Sequence, residues 1–120
     1  VLQTTLLGNL DFASSTIDLL NTYSFDVTEL DLSERNIEGI LDLKGYDKLI
    51  KLVCNQNQIT QIINIPNSLI ELNCYKNHIT SLDNLPQSLV ILYCKSTEIT
   101  SLEKLPNNLK IFSSTVFLII

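Results

Sequence analysis

Tryptophan and methionine are absent from this chain of 120 residues, glycine, proline and cysteine occur three times each, and histidine once. So little glycine and proline excludes a collagen-like or low-complexity chain, and 45% hydrophobic residues suit a folded domain. Basic residues are scarce: eight Lys and Arg stand against 13 Asp and Glu, a net charge of -5 with a pI near 4.6. A nonspecific grip on nucleic-acid phosphates or anionic lipid has no electrostatic basis, so no nucleic-acid partner is expected. No apolar run approaches the roughly 20 residues of a membrane span, and no charged n-region, apolar h-region and cleavage site opens the chain. With His78 alone, no nucleophilic triad can be named. The carboxylates are scattered without the pairing of a glycosidase site, and neither a G-x-G-x-x-G nor a P-loop occurs. The chain is therefore expected not to be an enzyme and to use no small-molecule cofactor.

What is present is a repeated apolar skeleton. LIKLVCNQNQITQIINIPNS, LIELNCYKNHITSLDNLPQS and LVILYCKSTEITSLEKLPNN follow one another from Leu49 to Asn108. Leu49, Leu69, Leu89 and Leu109 recur every twenty residues, as do Leu52, Leu72 and Leu92; Cys54, Cys74 and Cys94; Ile59, Ile79 and Ile99; and Pro66, Pro86 and Pro106. Self-similarity at one fixed period predicts a solenoid, in which each unit stacks on its neighbours. An earlier unit starts at Val27 and is two residues longer, so units begin near 27, 49, 69, 89 and 109. The excess is expected as a larger loop over Lys44 to Lys48, with Gly45 as its turn. Ile40 and Leu43 are aligned there with Ile62 and Ile65.

Within a unit, apolar residues at the fourth and sixth places alternate with polar ones, the period-two pattern of a short half-buried strand. Leu30 and Leu32, Leu52 and Cys54, Leu72 and Cys74, Leu92 and Cys94 would point inward. Successive strands must run parallel, with the chain returning on the far side through Ile62 and Ile65, Leu82 and Leu85, Leu102 and Leu105. The return has little room for a helix, and the proline that follows favours extended backbone. The three cysteines cannot form a C-x-x-C zinc clamp. Their odd number, buried in register, predicts reduced thiols acting as small apolar side chains and favours a reducing compartment such as the cytoplasm.

Residues 1 to 26 lack the repeat. A short helix from about Thr16 to Thr22, with Ser15 and Asp18 as a weak capping-box variant, would form an N-terminal cap over the open end of the core. At the other end, LKIFSSTVFLII keeps the pattern poorly, with Phe112 in the fourth place, Ser114 in the sixth and Phe117 in the ninth.

Residues 27 to 120 resemble a leucine-rich repeat domain. The twenty-residue form with L-P-x-x-L is similar to the short repeats of bacterial effector proteins, including those that precede ubiquitin-ligase domains. The cysteine resembles the cysteine ladders of some internalin-like and other microbial repeats. The resemblance implies a right-handed superhelix with parallel strands on a concave face and an extended, short-turn convex side. It also implies an asparagine ladder, in which the ninth-place Asn57 and Asn77 turn inward to bond the backbone of adjacent turns. Arg35 and Thr97 replace that asparagine in two units, with Asn36 beside Arg35 as a partial substitute.

A protein partner on the concave face is the function the resemblance implies. Outward rows would read Glu29, Lys51, Glu71, Ile91 and Ile111 at the third place; Asp31, Val53, Asn73, Tyr93 and Ser113 at the fifth; and Ser33, Asn55, Tyr75, Lys95 and Thr115 at the seventh. Tyr75, Ile91, Tyr93 and Ile111 are the candidate apolar contacts, with Val53, Lys51, Glu71 and Lys95 around them. A second reading makes the chain the recognition or sensor part of a larger enzyme, a ubiquitin ligase or kinase.

Overall fold

The computed structural model describes residues 22–82, 84–95, 98–99 and 104–112, for residues 111 and 112 the backbone alone. Seven strands follow in chain order: β1 (Glu29–Asp31), β2 (Glu38–Asp42), β3 (Lys51–Val53), β4 (Gln58–Ile63), β5 (Glu71–Asn73), β6 (Ile91–Tyr93) and β7 (Lys110–Phe112). Three-residue strands form because each unit offers one inward leucine between two outward residues, and β3, β5 and β6 bury only the middle one. They pair in the order β1-β3-β5-β6-β7, all parallel, so the chain is a repeat solenoid of stacked parallel strands. Leu30, Leu52, Leu72 and Leu92 stand in register, 0 to 1% exposed. Leu49, Leu69 and Leu89, Cys54, Cys74 and Cys94, and Ile59, Ile79 and Ile99 complete the core in columns.

The far side is more ordered than an extended return. β2 and β4 form a parallel sheet of their own, with a register shift between Gly39 and Ile40. That shift corrects the alignment read from sequence: Leu41, not Ile40, pairs with Ile62 and is buried, while Ile40 is 55% exposed. From Ile37 to Leu41 is four residues where Ile59 to Ile62 is three, so one of the two extra residues falls between these buried positions. The other falls between Leu41 and Leu49, around Gly45, whose φ is +96°. Tyr46 there occupies the slot that proline holds in later turns: Leu49 N–H donates to Tyr46 O as Leu69, Leu89 and Leu109 donate to Pro66, Pro86 and Pro106. The Tyr46 ring is fully buried, its hydroxyl donates to Tyr23 O at 3.5 Å, and Phe25 meets it edge-on at 5.0 Å.

Corners recur as well. Glu34, Gln56 and Lys76 have φ of 54 to 57° just after the inner strand, and Asn64, Asn84 and Lys104 have φ of 55 to 59° two residues before the proline. Left-handed backbone at both bends lets a unit close within twenty residues, and asparagine tolerates that region better than most side chains. The expected cap helix lies, apart from Thr22, outside the described residues, as do Thr97 and residues 113 to 120. Among the described residues no helix is long and apolar enough to cross a membrane.

Candidate functional site

The outer face of the five-stranded sheet is built by the residues that flank each buried leucine. Its third-place row runs Glu29, Lys51, Glu71, Ile91, Lys110 and its fifth-place row Asp31, Val53, Asn73, Tyr93, with the backbone of Phe112 in register beside Tyr93. The last step departs from the even spacing: Lys110 lies opposite Ile91, and Ile111 lies opposite Leu92. Ile111 is therefore not the register partner of Ile91 that the spacing of twenty predicts, and Lys110 stands opposite Ile91 instead. Twenty residues separate Lys110 N–H from the Val90 carbonyl that accepts its bond, but the strand pairing from Lys110 onward is nineteen apart. The sequence signal was available in the failing repeat, whose sixth place is Ser114.

Lys51, Val53, Glu71, Tyr75, Ile91 and Tyr93 are all half-buried, and Lys95 is exposed. The Lys51 ammonium lies 3.8 Å from the Glu71 carboxylate across the β3 to β5 step, a partly exposed pair worth under about 1 kcal/mol. Lys76 sits 5.9 Å from the Tyr75 ring centroid. On the first strand, Asp31 accepts hydrogen bonds from the Ser33 hydroxyl at 2.6 Å and the Ser33 amide at 3.0 Å; these bonds hold its carboxyl below the usual range. The Asn73 Oδ1 is buried without a partner in the middle of the fifth-place row. Asn55, expected outward, is buried, with its Nδ2 donating to Gln56 Oε1 at 3.2 Å.

Another apolar row was missed at the second place. Ile50 and Ile70 are each 42% exposed and Val90 is half-buried. They form one column at the rim of the sheet, since Ile70 N–H donates to Ile50 O and Val90 N–H to Ile70 O. The period of twenty placed them in register, but a residue next to an inward leucine gives no sign of its exposure until the corner is built.

The inward polar groups hold this face in position. Asn57 Oδ1 accepts from the amides of Arg35 and Ile37 at 3.0 Å, while its Nδ2 donates to Leu32 O at 2.8 Å and Cys54 O at 3.0 Å. Asn77 repeats this one turn on, accepting from Ile59 and donating to Cys54 O and Cys74 O. Asn36, the expected substitute in the first turn, is exposed at φ 57°; the amides there are met by Asn57 of the next turn. The hydroxyls of Ser68 and Ser88 donate to Leu49 O and Leu69 O at 2.6 Å, a second column that the sequence reading passed over.

Cys54, Cys74 and Cys94 are free and buried. Burial pushes the Cys54 thiol up to about 12 and raises Cys74 well above its ordinary value. Neither has the thiolate character that makes a cysteine reactive. His78 is exposed in a turn, with Nδ1 2.7 Å from Glu98 Oε2 of the next unit. Among the described residues no group of three or more His, Cys, Asp and Glu side chains could hold a metal ion. Set against models of known protein families, the chain matches none, and a search of curated proteins likewise finds no match.

Proposed function

We propose that this chain is a leucine-rich repeat module that binds a protein on the outer face of its five-stranded sheet and carries no catalytic chemistry of its own. The supporting observation is the half-exposed apolar surface of Val53, Tyr75, Ile91 and Tyr93. It lies on the strands, and for Tyr75 just beyond β5, with the opposite side closed by buried leucine and cysteine. Aromatic side chains held on a rigid sheet give large contact area at little entropic cost, and flanking charges such as Lys51, Glu71 and Lys95 tune orientation. The right-handed superhelix and the cysteine and asparagine ladders belong to the same proposal. The stacked bonds of Asn57 and Asn77 support them.

The test is a comparison of two faces. Tyr75→Ala combined with Tyr93→Ala should abolish capture of a protein partner with little change in thermal stability. Gln61→Ala and Ser81→Ala, at exposed positions of the return side, should change neither. Retention of a partner by the tyrosine variant and its loss from the return-side variants would overturn the assignment.

A further inference from the structure

The charges on this face are graded along the stack. Glu29, Asp31 and Glu34 are exposed on the first turn, with Arg35 beside them. Lys95 and Lys110 are exposed on the last two, and between the ends Lys51 and Glu71 neutralise one another. An acidic end, an apolar middle and a basic end thus span four strand spacings, about 19 Å. The chain as a whole carries a net charge of -5, yet this face is close to neutral. Two copies meeting here are spared the repulsion that the rest of their surfaces would impose.

We infer that the partner of this face is a second copy of the chain, docked face to face about a two-fold axis that runs parallel to the strands through β5. This rests on the binding reading above and names its occupant. A face-to-face pair has two simple choices of axis. One that runs along the stack lays β1 on β1 and sets acid against acid. The axis along the strands lays β1 on β7 and β3 on β6, so Glu29 of each copy meets Lys110 of the other, with Asp31 and Lys95 on either side of that pair, one strand apart. The same operation sets Tyr93 over Val53 of the second copy, and the isologous contact is made twice. Ile50, Ile70 and Val90 extend the apolar area at the rim. Because the strands are only three residues long, the interface is small and the affinity is expected to be modest, on the order of micromolar.

Sedimentation of the whole chain over a range of concentration tests the proposal. A monomer–dimer equilibrium that weakens with added salt is expected. Glu29→Lys with Asp31→Lys should remove self-association, and so should Lys95→Glu with Lys110→Glu. Mixing the two variants should restore a one-to-one pair, because each then offers the other opposite charges at both ends. All these sites are exposed, and unchanged circular dichroism melts would show that both variants fold. A chain that stays monomeric up to about millimolar concentration, variants that dimerise like the parent, or a mixture that fails to pair would each overturn it. If the chain is monomeric while a different protein is captured through Tyr75 and Tyr93, the second-copy proposal fails and the binding face stands.

Discussion

Leu72 and Glu71 are neighbours on β5 and face opposite ways, one wholly buried and the other half-exposed. Leu72→Ala should cost about 2 to 5 kcal/mol, the range for emptying a packed core site, and Glu71→Ala under about 1. Denaturant melts that ranked them the other way would reverse the assignment of inner and outer faces. Asn73, two residues on, is an opportunity for the opposite sign. Its Oδ1 is buried without a partner, and such an atom costs about 1 to 3 kcal/mol. Asn73→Val removes the polar group and adds a side chain suited to strands, so its unfolding midpoint should rise; a lower midpoint would mean that the amide is satisfied in solution. The thiols set an alkaline limit. Folded Cys54 keeps its proton up to about 12 whereas an exposed thiol loses it near 9.0, so base favours the unfolded chain. This contribution is complete below pH 9.0 and is lost as pH rises toward about 12. Melts at neutral pH and at about pH 10 should show the loss, and Cys54→Val should reduce it; an unchanged loss in that variant would assign it to other groups.

The elements divide into those that pattern dictates and those that corner geometry dictates. Alternating inward leucine predicts the strands at 51, 71 and 91 because a three-residue strand needs only one residue in and two out. The twenty-residue spacing then fixes their parallel register. The outward row was legible for the same reason, up to Ile91 and Tyr93. What the pattern hid was set by backbone that no hydrophobic count reports: the shift at Gly39 and Ile40 that turns Leu41 inward, the slip that puts Lys110 in the place expected for Ile111, and the exposed Ile50 column. Tyr46 was hidden because a lone aromatic in a longer loop has no repeat to align with. The two glycines of the first unit make the distinction measurable. Both have positive φ, but a Cβ at Gly45 would lie 2.7 Å from Phe25 Cε1, whereas at Gly39 it would meet nothing within 4 Å. Gly39→Ala should cost only the left-handed strain, about 1 kcal/mol, and Gly45→Ala distinctly more. Equal losses would show that Phe25 moves aside without cost, and that the lid over Tyr46 is loose.

Across the whole molecule, each hydrogen bond in the described columns stays within a turn or links it to its nearest neighbour. Asn57 serves the turn before it and its own, Asn77 does the same one turn later, and Ser68 and Ser88 each reach back to one leucine carbonyl. Stability in such a stack is a sum over adjacent pairs, and among the described residues no bond of these columns registers how many turns the stack holds. Excision of residues 50–69 would join Leu49 to Ile70, bring Asn77 to the amides of Arg35 and Ile37, and hand the Leu49 carbonyl to Ser88. The shortened chain should still unfold cooperatively, at a lower midpoint because a turn is missing and Glu71 then faces Glu29. Removal of one residue fewer should lower the midpoint further, since the surplus residue must be taken up in a loop, as the first unit takes up two, or every inward leucine downstream of the cut falls beside an outward neighbour. Loss of folding on excision of the complete turn would mean that the ends recognise something beyond their nearest turn. The asparagine bonds thus make length close to a quantised property of this chain: it can be shortened or extended by recombination, most readily in steps of one complete turn.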